Sequence, residues 1–247
     1  MVGEMAAGAA VAVHLTPPAP HLVAGRTVVL IDTLRATTTM TTLVRGGVAA
    51  IYASPSIEAA RALAERLQGS RLCGEVEGER PEGFDFGNSP TEFEALDVSG
   101  WNMVQATTNG TPALRLAAAA RQTLACCLRN RGAVATRLAG ESAIAIVCGG
   151  EGGGMTASVE DTYTAGALVD RLCTHDPALP LDAGARLARR VFHAYGDSKA
   201  AFQESPHAAD LRARGFAADL AYAAKLDVER AVPRALVDAE GQVIISG

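Results

Sequence analysis

The sequence predicts an α/β fold of three α/β/α layers, with a largely parallel or mixed central sheet and a helical C-terminal third. Short apolar runs rich in Val and Ile alternate with longer Ala-rich stretches of helical period. Gly, Pro, Ser and Thr punctuate the junctions between them. Apolar residues make up 49% of the 247, enough for a sizeable core. Taken in order, Val28–Ile31 reads as a buried strand leading into a helix near Thr38–Arg45. Val48–Ala53 is a second strand, stopped by Ser54-Pro55. Ser56 then caps a helix over Ile57–Leu67. Arg71–Cys73 is a short strand, followed by a long loop from Gly74 to Pro90 of the kind that is usually functional. Trp101–Ala106 is a strand, and Thr111 with Pro112 forms a cap and first-turn pair for a helix through Gln122. Thr123–Leu128 and Ala143–Cys148 are strands on either side of a helix around Ala133–Leu138. Ser158 opens a helix toward Leu172. Residues 182–226 are mostly helical and end at Val232-Pro233, and Gln242–Ser246 is the last strand. The whole reads as one domain, residues 1–247, with a helical subdomain about residues 161–232 as the alternative.

Bulk properties narrow the function. A net charge of -5 argues against a general nucleic-acid binder, so an anionic ligand must be met by local positive features. The 5 Cys form no CxxC pair, which argues against a disulfide framework and a zinc site and fits a reducing cytoplasm. The apolar stretch Ala6–Leu15 has no Lys or Arg before it and is too short to span a membrane, so no membrane partner is expected. The sequence leaves a homo-oligomer open. No GxSxG elbow, GxxxxGK[ST] loop or GxGxxG turn is present, which removes support for serine-hydrolase and common nucleotide-binding readings.

Three strand-to-helix loops carry the remaining chemistry: Asp32–Thr39, Thr107–Thr111 and Gly149–Asp161. In an open α/β sheet ligands bind beyond the carboxyl ends of strands. Asp32 stands where the first strand ends, and Arg35, Thr37 and Thr38 follow it. That run offers a carboxylate for a metal, a guanidinium for an anion, and hydroxyls and helix N–H groups for phosphate oxygens. Thr107, Thr108, Asn109 and Gly110 repeat the theme, although a plain turn and cap would read the same. Glu160 and Asp161 fall in a first helical turn, where carboxylates favour the helix dipole with or without a catalytic role, and Ser158 to Asp161 has the form of a capping box. In the long loop Phe84 and Phe86 flank Asp85. That placement expects a carboxylate held against apolar surface, relieved by a metal, an Arg or N–H donors. His207, in Ser205-Pro206-His207, reads as a surface or capping residue.

These segments together resemble the 2-phosphosulfolactate phosphatase family. The resemblance rests on Val29–Thr39, Gly74-Glu75, Gly83–Pro90, Thr107–Thr111, Ser158–Asp161, Leu226-Asp227 and Val232-Pro233, in that order along the chain. Val76 and Glu77 stand where the family often shows basic residues. The resemblance implies a layered α/β/α domain and a Mg²⁺-dependent phosphatase that converts 2-phosphosulfolactate to 3-sulfolactate, a step toward coenzyme M. A small substrate carrying several acidic groups needs concentrated positive potential in an acidic chain, so Asp32, Glu75 and Asp85 are expected to include the metal ligands and Arg35 to hold the phosphate through its fork. Thr37, Thr38, Asn88, Ser89, Thr108 and Asn109 become anion contacts, with Thr107 and Gly110 in the same loop, and Glu160 or Asp161 the group that moves the proton. Asp32 as a covalent nucleophile is a variant, and the rival is a non-catalytic sensor of a phosphorylated metabolite.

Overall fold

A computed structural model describes residues 10–106, 113 and 115–247. In chain order its elements are β1 (Val11–His14), β2 (Thr27–Ile31), α1 (Ala36–Arg45), β3 (Ala50–Ser54), α2 (Ile57–Arg66), β4 (Arg71–Gly74), α3 (Pro90–Glu94) and β5 (Asn102–Ala106). Then come β6 (Gln122–Cys126), α4 (Arg131–Arg137), β7 (Ile144–Cys148), α5 (Val159–His175), α6 (Ala183–Ala194), α7 (Ser198–Glu204), α8 (Pro206–Ala213), α9 (Ala217–Ala223), β8 (Arg234–Val237) and β9 (Val243–Ser246). The strands form one sheet in the order β1-β7-β2-β6-β8-β9-β3-β5-β4.

Two parallel blocks make up this sheet. β1, β7, β2 and β6 form one; β3, β5 and β4 form the other. The β8–β9 hairpin joins them through antiparallel pairings on both sides. The sheet is therefore mixed, and the pairing order reverses the strand sense between the blocks. A twist of roughly 20–25° per strand pair accumulates to about 120–150° over the steps from β2 to β4.

Alternation along β2 shows how the layers arise. Val28 and Leu30 enter the core packed with Met40 and Leu43 of α1. Val29 and Ile31 face the opposite core, with Leu168, Val169 and Leu172 of α5 and Ala185 and Ala188 of α6. A strand buried on both faces needs no polar side, which is why it reads as an unbroken apolar run. A third cluster joins Leu34 and Leu128 to Tyr163, Phe202, Leu211 and Leu220 and packs the C-terminal helices over the end of β2. Five Thr of α1 are also buried (Thr37, Thr38, Thr39, Thr41 and Thr42). Thr41 and Thr42 donate to carbonyls one turn back, Thr37 and Thr38, at 2.8 and 2.9 Å, so their hydroxyls need no water.

Some expectations are corrected. The apolar segment ending at Leu15 contains an edge strand, β1, which pairs with β7. The run after Pro233 contains β8, a strand with no clear signal in the sequence because Arg234–Val237 is short and half-exposed. Helix α1 starts at Ala36, one turn-half earlier than expected. All five thiols are free and buried. Among the described residues no helix is long and apolar enough to cross a membrane. The Thr107–Gly110 loop and the Thr111-Pro112 cap lie outside the described residues.

Candidate active site

The end of β2 organises the site. The Asp32 carbonyl accepts the Thr37 N–H and the Thr37 hydroxyl, both at 2.9 Å, while Asp32 Oδ1 accepts the Ala36 N–H at 3.1 Å. The carboxylate thereby caps the first turn of α1 and is fixed in place. Gly149, just after β7, lies so close that a Cβ there would meet Asp32 Oδ2 at 3.2 Å. Asp32 shares a cavity of about 20 Å³, room for a water or a small ion, with Glu75, Asn88, Arg35 and His207. Glu75 is brought there by Gly74 at the end of β4, where the backbone of β5 approaches so closely that a Cβ would lie 2.1 Å from the Ala106 carbonyl oxygen. Glu75 Oε2 accepts the Gly78 N–H at 2.8 Å. The Asn88 amide oxygen is taken by Gln105 at 3.0 Å, which leaves its N–H₂ as a donor.

Behind Asp32 stand two more buried carboxylates. Asp161 Oδ1 accepts the Thr33 N–H at 2.8 Å and its Oδ2 the Gly150 N–H at 3.1 Å. Ser158 does cap α5, accepting the Asp161 N–H. The Asp161 side chain, however, ties α5 to the ends of β2 and β7, so its role exceeds dipole compensation. Glu160 is 2% exposed, and its Oε2 has no hydrogen-bond partner among the described residues. Burial lifts Asp32, Glu160 and Asp161 to about 7 each. The Asp161 charge adds to the rise at Asp32, the Glu160 charge to that at Asp161, and the Glu151 and Asp32 charges to that at Glu160; N–H donors and the Ser205 hydroxyl oppose it.

Arg35 is buried as well. Its Nη1 meets Asp219 Oδ2 at 2.9 Å, its Nη2 donates to the Gly78 carbonyl at 2.6 Å, and its guanidinium lies 4.3 Å over the Phe216 ring. Two of its five N–H bonds are thus engaged, and the others remain for a ligand. Asp219 also accepts the Ser89 and Thr91 hydroxyls at 2.7 and 2.6 Å.

The structure redistributes several of the expected roles. Asp32, Arg35, Glu75 and Asn88 come together. Glu160 and Asp161 stand next to them through their charge interactions with Asp32. Asp85 does not join them: it is exposed and spends Oδ2 on the Leu72 N–H at 2.8 Å, because only the Phe84 side of the Phe84–Phe86 pair is fully buried. Thr37 and Thr38 turn their hydroxyls onto the Asp32 and Thr33 carbonyls, locking the turn instead of facing an anion. Ser89 caps α3 and serves Asp219. His207 lines the cavity with Asp32 and bonds the Leu34 carbonyl at 2.8 Å, so it is no surface cap. Asp219 had no sequence signal, since an acid in an Ala-rich helix looks like any solvated one. Among the described residues no group of three or more His, Cys, Asp and Glu is gathered tightly enough to cage a metal by itself.

A three-layer α/β protein with buried, high-pKa carboxylates and an Arg around a cavity at strand ends has the layout of an α/β enzyme that handles an anionic substrate. The chain belongs to the 2-phosphosulpholactate phosphatase family, whose model matches residues 14–236. Its relatives include proteins described as probable 2-phosphosulfolactate phosphatase. That of Thermus thermophilus is 40% identical over 220 residues, covering 87% of this chain and 90% of the relative. Those of Thermotoga petrophila and Deinococcus radiodurans are 36% and 39% identical, over 84% and 83% of this chain and 88% and 85% of theirs.

Proposed function

We propose that this protein is a phosphoric monoester hydrolase that cleaves 2-phosphosulfolactate to 3-sulfolactate and phosphate with the help of Mg²⁺. The observation that carries the reading is Asp32, fixed at the end of β2 in one cavity with Glu75, Asn88 and Arg35. The relatives' names supply the substrate. A divalent cation fits the donor set. Asp32 and Glu75 are hard oxygen donors facing a space of ion size, and Mg²⁺ commonly takes one or two carboxylates and fills its octahedron with waters and substrate phosphate. Asp32 and Glu75 would hold it, and its charge would stabilise the phosphoryl oxygens.

The chain's own residues do the rest. Arg35 directs its remaining N–H groups at the phosphate, and Asn88 adds its amide N–H₂. Asp161, with both oxygens held by backbone N–H groups, positions the β2 and β7 loops. Glu160 keeps one oxygen unpaired and, with its carboxyl near 7, can take a proton from the attacking water or give one to the leaving alkoxide at neutral pH. The test is phosphate release from 2-phosphosulfolactate by the purified protein with Mg²⁺ and with EDTA, beside Asp32→Asn. Turnover that needs the cation and falls at least about a thousandfold in the variant is expected. No release with any divalent cation would leave the sensor reading in its place.

A further inference from the structure

Next to the small cavity lies a second one of about 330 Å³, lined by Arg35, Gly78, Arg80, Asn88, Thr91 and Phe216 among others. It shares Arg35, Gly78 and Asn88 with the small cavity, so the two meet at one wall. We propose that this larger cavity is a second anion subsite, in which Arg80 receives the further acidic group that a phosphorylated hydroxy acid carries besides its phosphate. The inference rests on the phosphatase reading and names a residue that reads the substrate.

The charges lining the cavity leave that work to Arg80. Arg35, paired with Asp219, has its remaining N–H groups committed to the phosphate, and the Ser89 and Thr91 hydroxyls donate to the same Asp219 carboxylate. Of the acids at the rim, Glu92 accepts the Gly87 N–H at 2.9 Å and Glu79 faces Arg214 at 3.8 Å. Arg80 is exposed, forms no ion pair among the described residues, and is held by one bond, Nη1 to the Asp85 carbonyl at 3.2 Å. A guanidinium in that state has N–H bonds to give a sulfonate or carboxylate in a forked geometry. The Phe216 ring, stacked on Arg35, offers an apolar wall for the carbon skeleton between the two anions. A cavity of this volume is at the lower end of those that enclose small ligands.

The experiment compares Arg80→Gln and Arg80→Lys with wild type on two substrates: 2-phosphosulfolactate, and phenyl phosphate, which has no second anion. The ratio of kcat/KM between the two substrates should fall roughly tenfold or more in Arg80→Gln, the loss of one charge-assisted contact, chiefly through KM. Arg80→Lys should recover part of it. Calorimetry with 3-sulfolactate alone gives a readout independent of turnover: binding seen in wild type should weaken by a similar factor in Arg80→Gln. An unchanged ratio, or equal affinity of 3-sulfolactate for both proteins, overturns the subsite. Wild type that releases no phosphate yet binds 3-sulfolactate through Arg80 would overturn the phosphatase reading and keep the subsite.

Discussion

Glu160 is the residue whose replacement should give the least intuitive result. Its carboxyl is buried, with one oxygen unpaired, and stands near 7 where the ordinary value is 4.5. A carboxyl raised by folding binds protons more tightly in the folded state, so its contribution to stability is complete below about 4.5 and is lost as pH rises through about 7. That rise, part of which comes from the neighbouring Glu151 and Asp32 charges, corresponds to roughly 3 kcal/mol at pH 8 and to under about 1 kcal/mol at pH 5. Glu160→Gln keeps the shape and removes the charge. In EDTA it should therefore be more stable than wild type by about 3 kcal/mol at pH 8, a rise in Tm of about 6–12 °C for a chain of this size, and nearly equal to it at pH 5. Urea unfolding at the two pH values measures this directly, and phosphate release should collapse in the same variant. Equal stability at pH 8, or an equal gain at both pH values, would refute the account of Glu160 as a charge held against its solvation.

The other predictions concern the groups around it. Asp219→Ala should cost about 3–5 kcal/mol in urea unfolding, since it strands the Arg35 guanidinium in the interior and takes the acceptor from Ser89 and Thr91. A loss under about 1 kcal/mol would show that the pair carries little of the local order. Arg35→Lys should raise KM roughly tenfold, because an ammonium cannot hold Asp219, the Gly78 carbonyl and a phosphate in the planar geometry of a guanidinium; unchanged kinetics would remove Arg35 from the phosphate site. Asp85→Asn keeps an acceptor for the Leu72 N–H and should leave both turnover and the Mg²⁺ requirement as they are, whereas a lost Mg²⁺ response would return Asp85 to the ligand set.

Periodicity and local stereochemistry were legible in the chain. The unbroken apolar run of β2 announces a strand buried on both faces, and Ser56 and Ser158 do cap the helices they were expected to cap. An Asp directly after such a strand is a candidate site residue on its own, because strand ends in α/β sheets are where ligands gather. The family itself can be read from the ordered motifs. Those signals depend only on neighbours in the chain, and so they survive without a fold.

What the tertiary structure alone decided is which of many similar polar residues face one another. Asp85 and Glu75 lie in the same loop and look alike in sequence, yet one is exposed and serves a strand N–H, while the other turns into the cavity beside a Gly with no room for a side chain. His207 and Asp219, on helices far down the chain, reach the end of β2 only because the C-terminal helices pack over Leu34. The reversed strand sense set by the β8–β9 hairpin decides which loops share an edge, and of its two strands β9 is legible in the chain while the short, half-exposed β8 leaves almost no trace in composition. Burial, which raises the carboxyls of Asp32, Glu160 and Asp161, is likewise a property of the packed molecule, since it depends on what has displaced the water around each group.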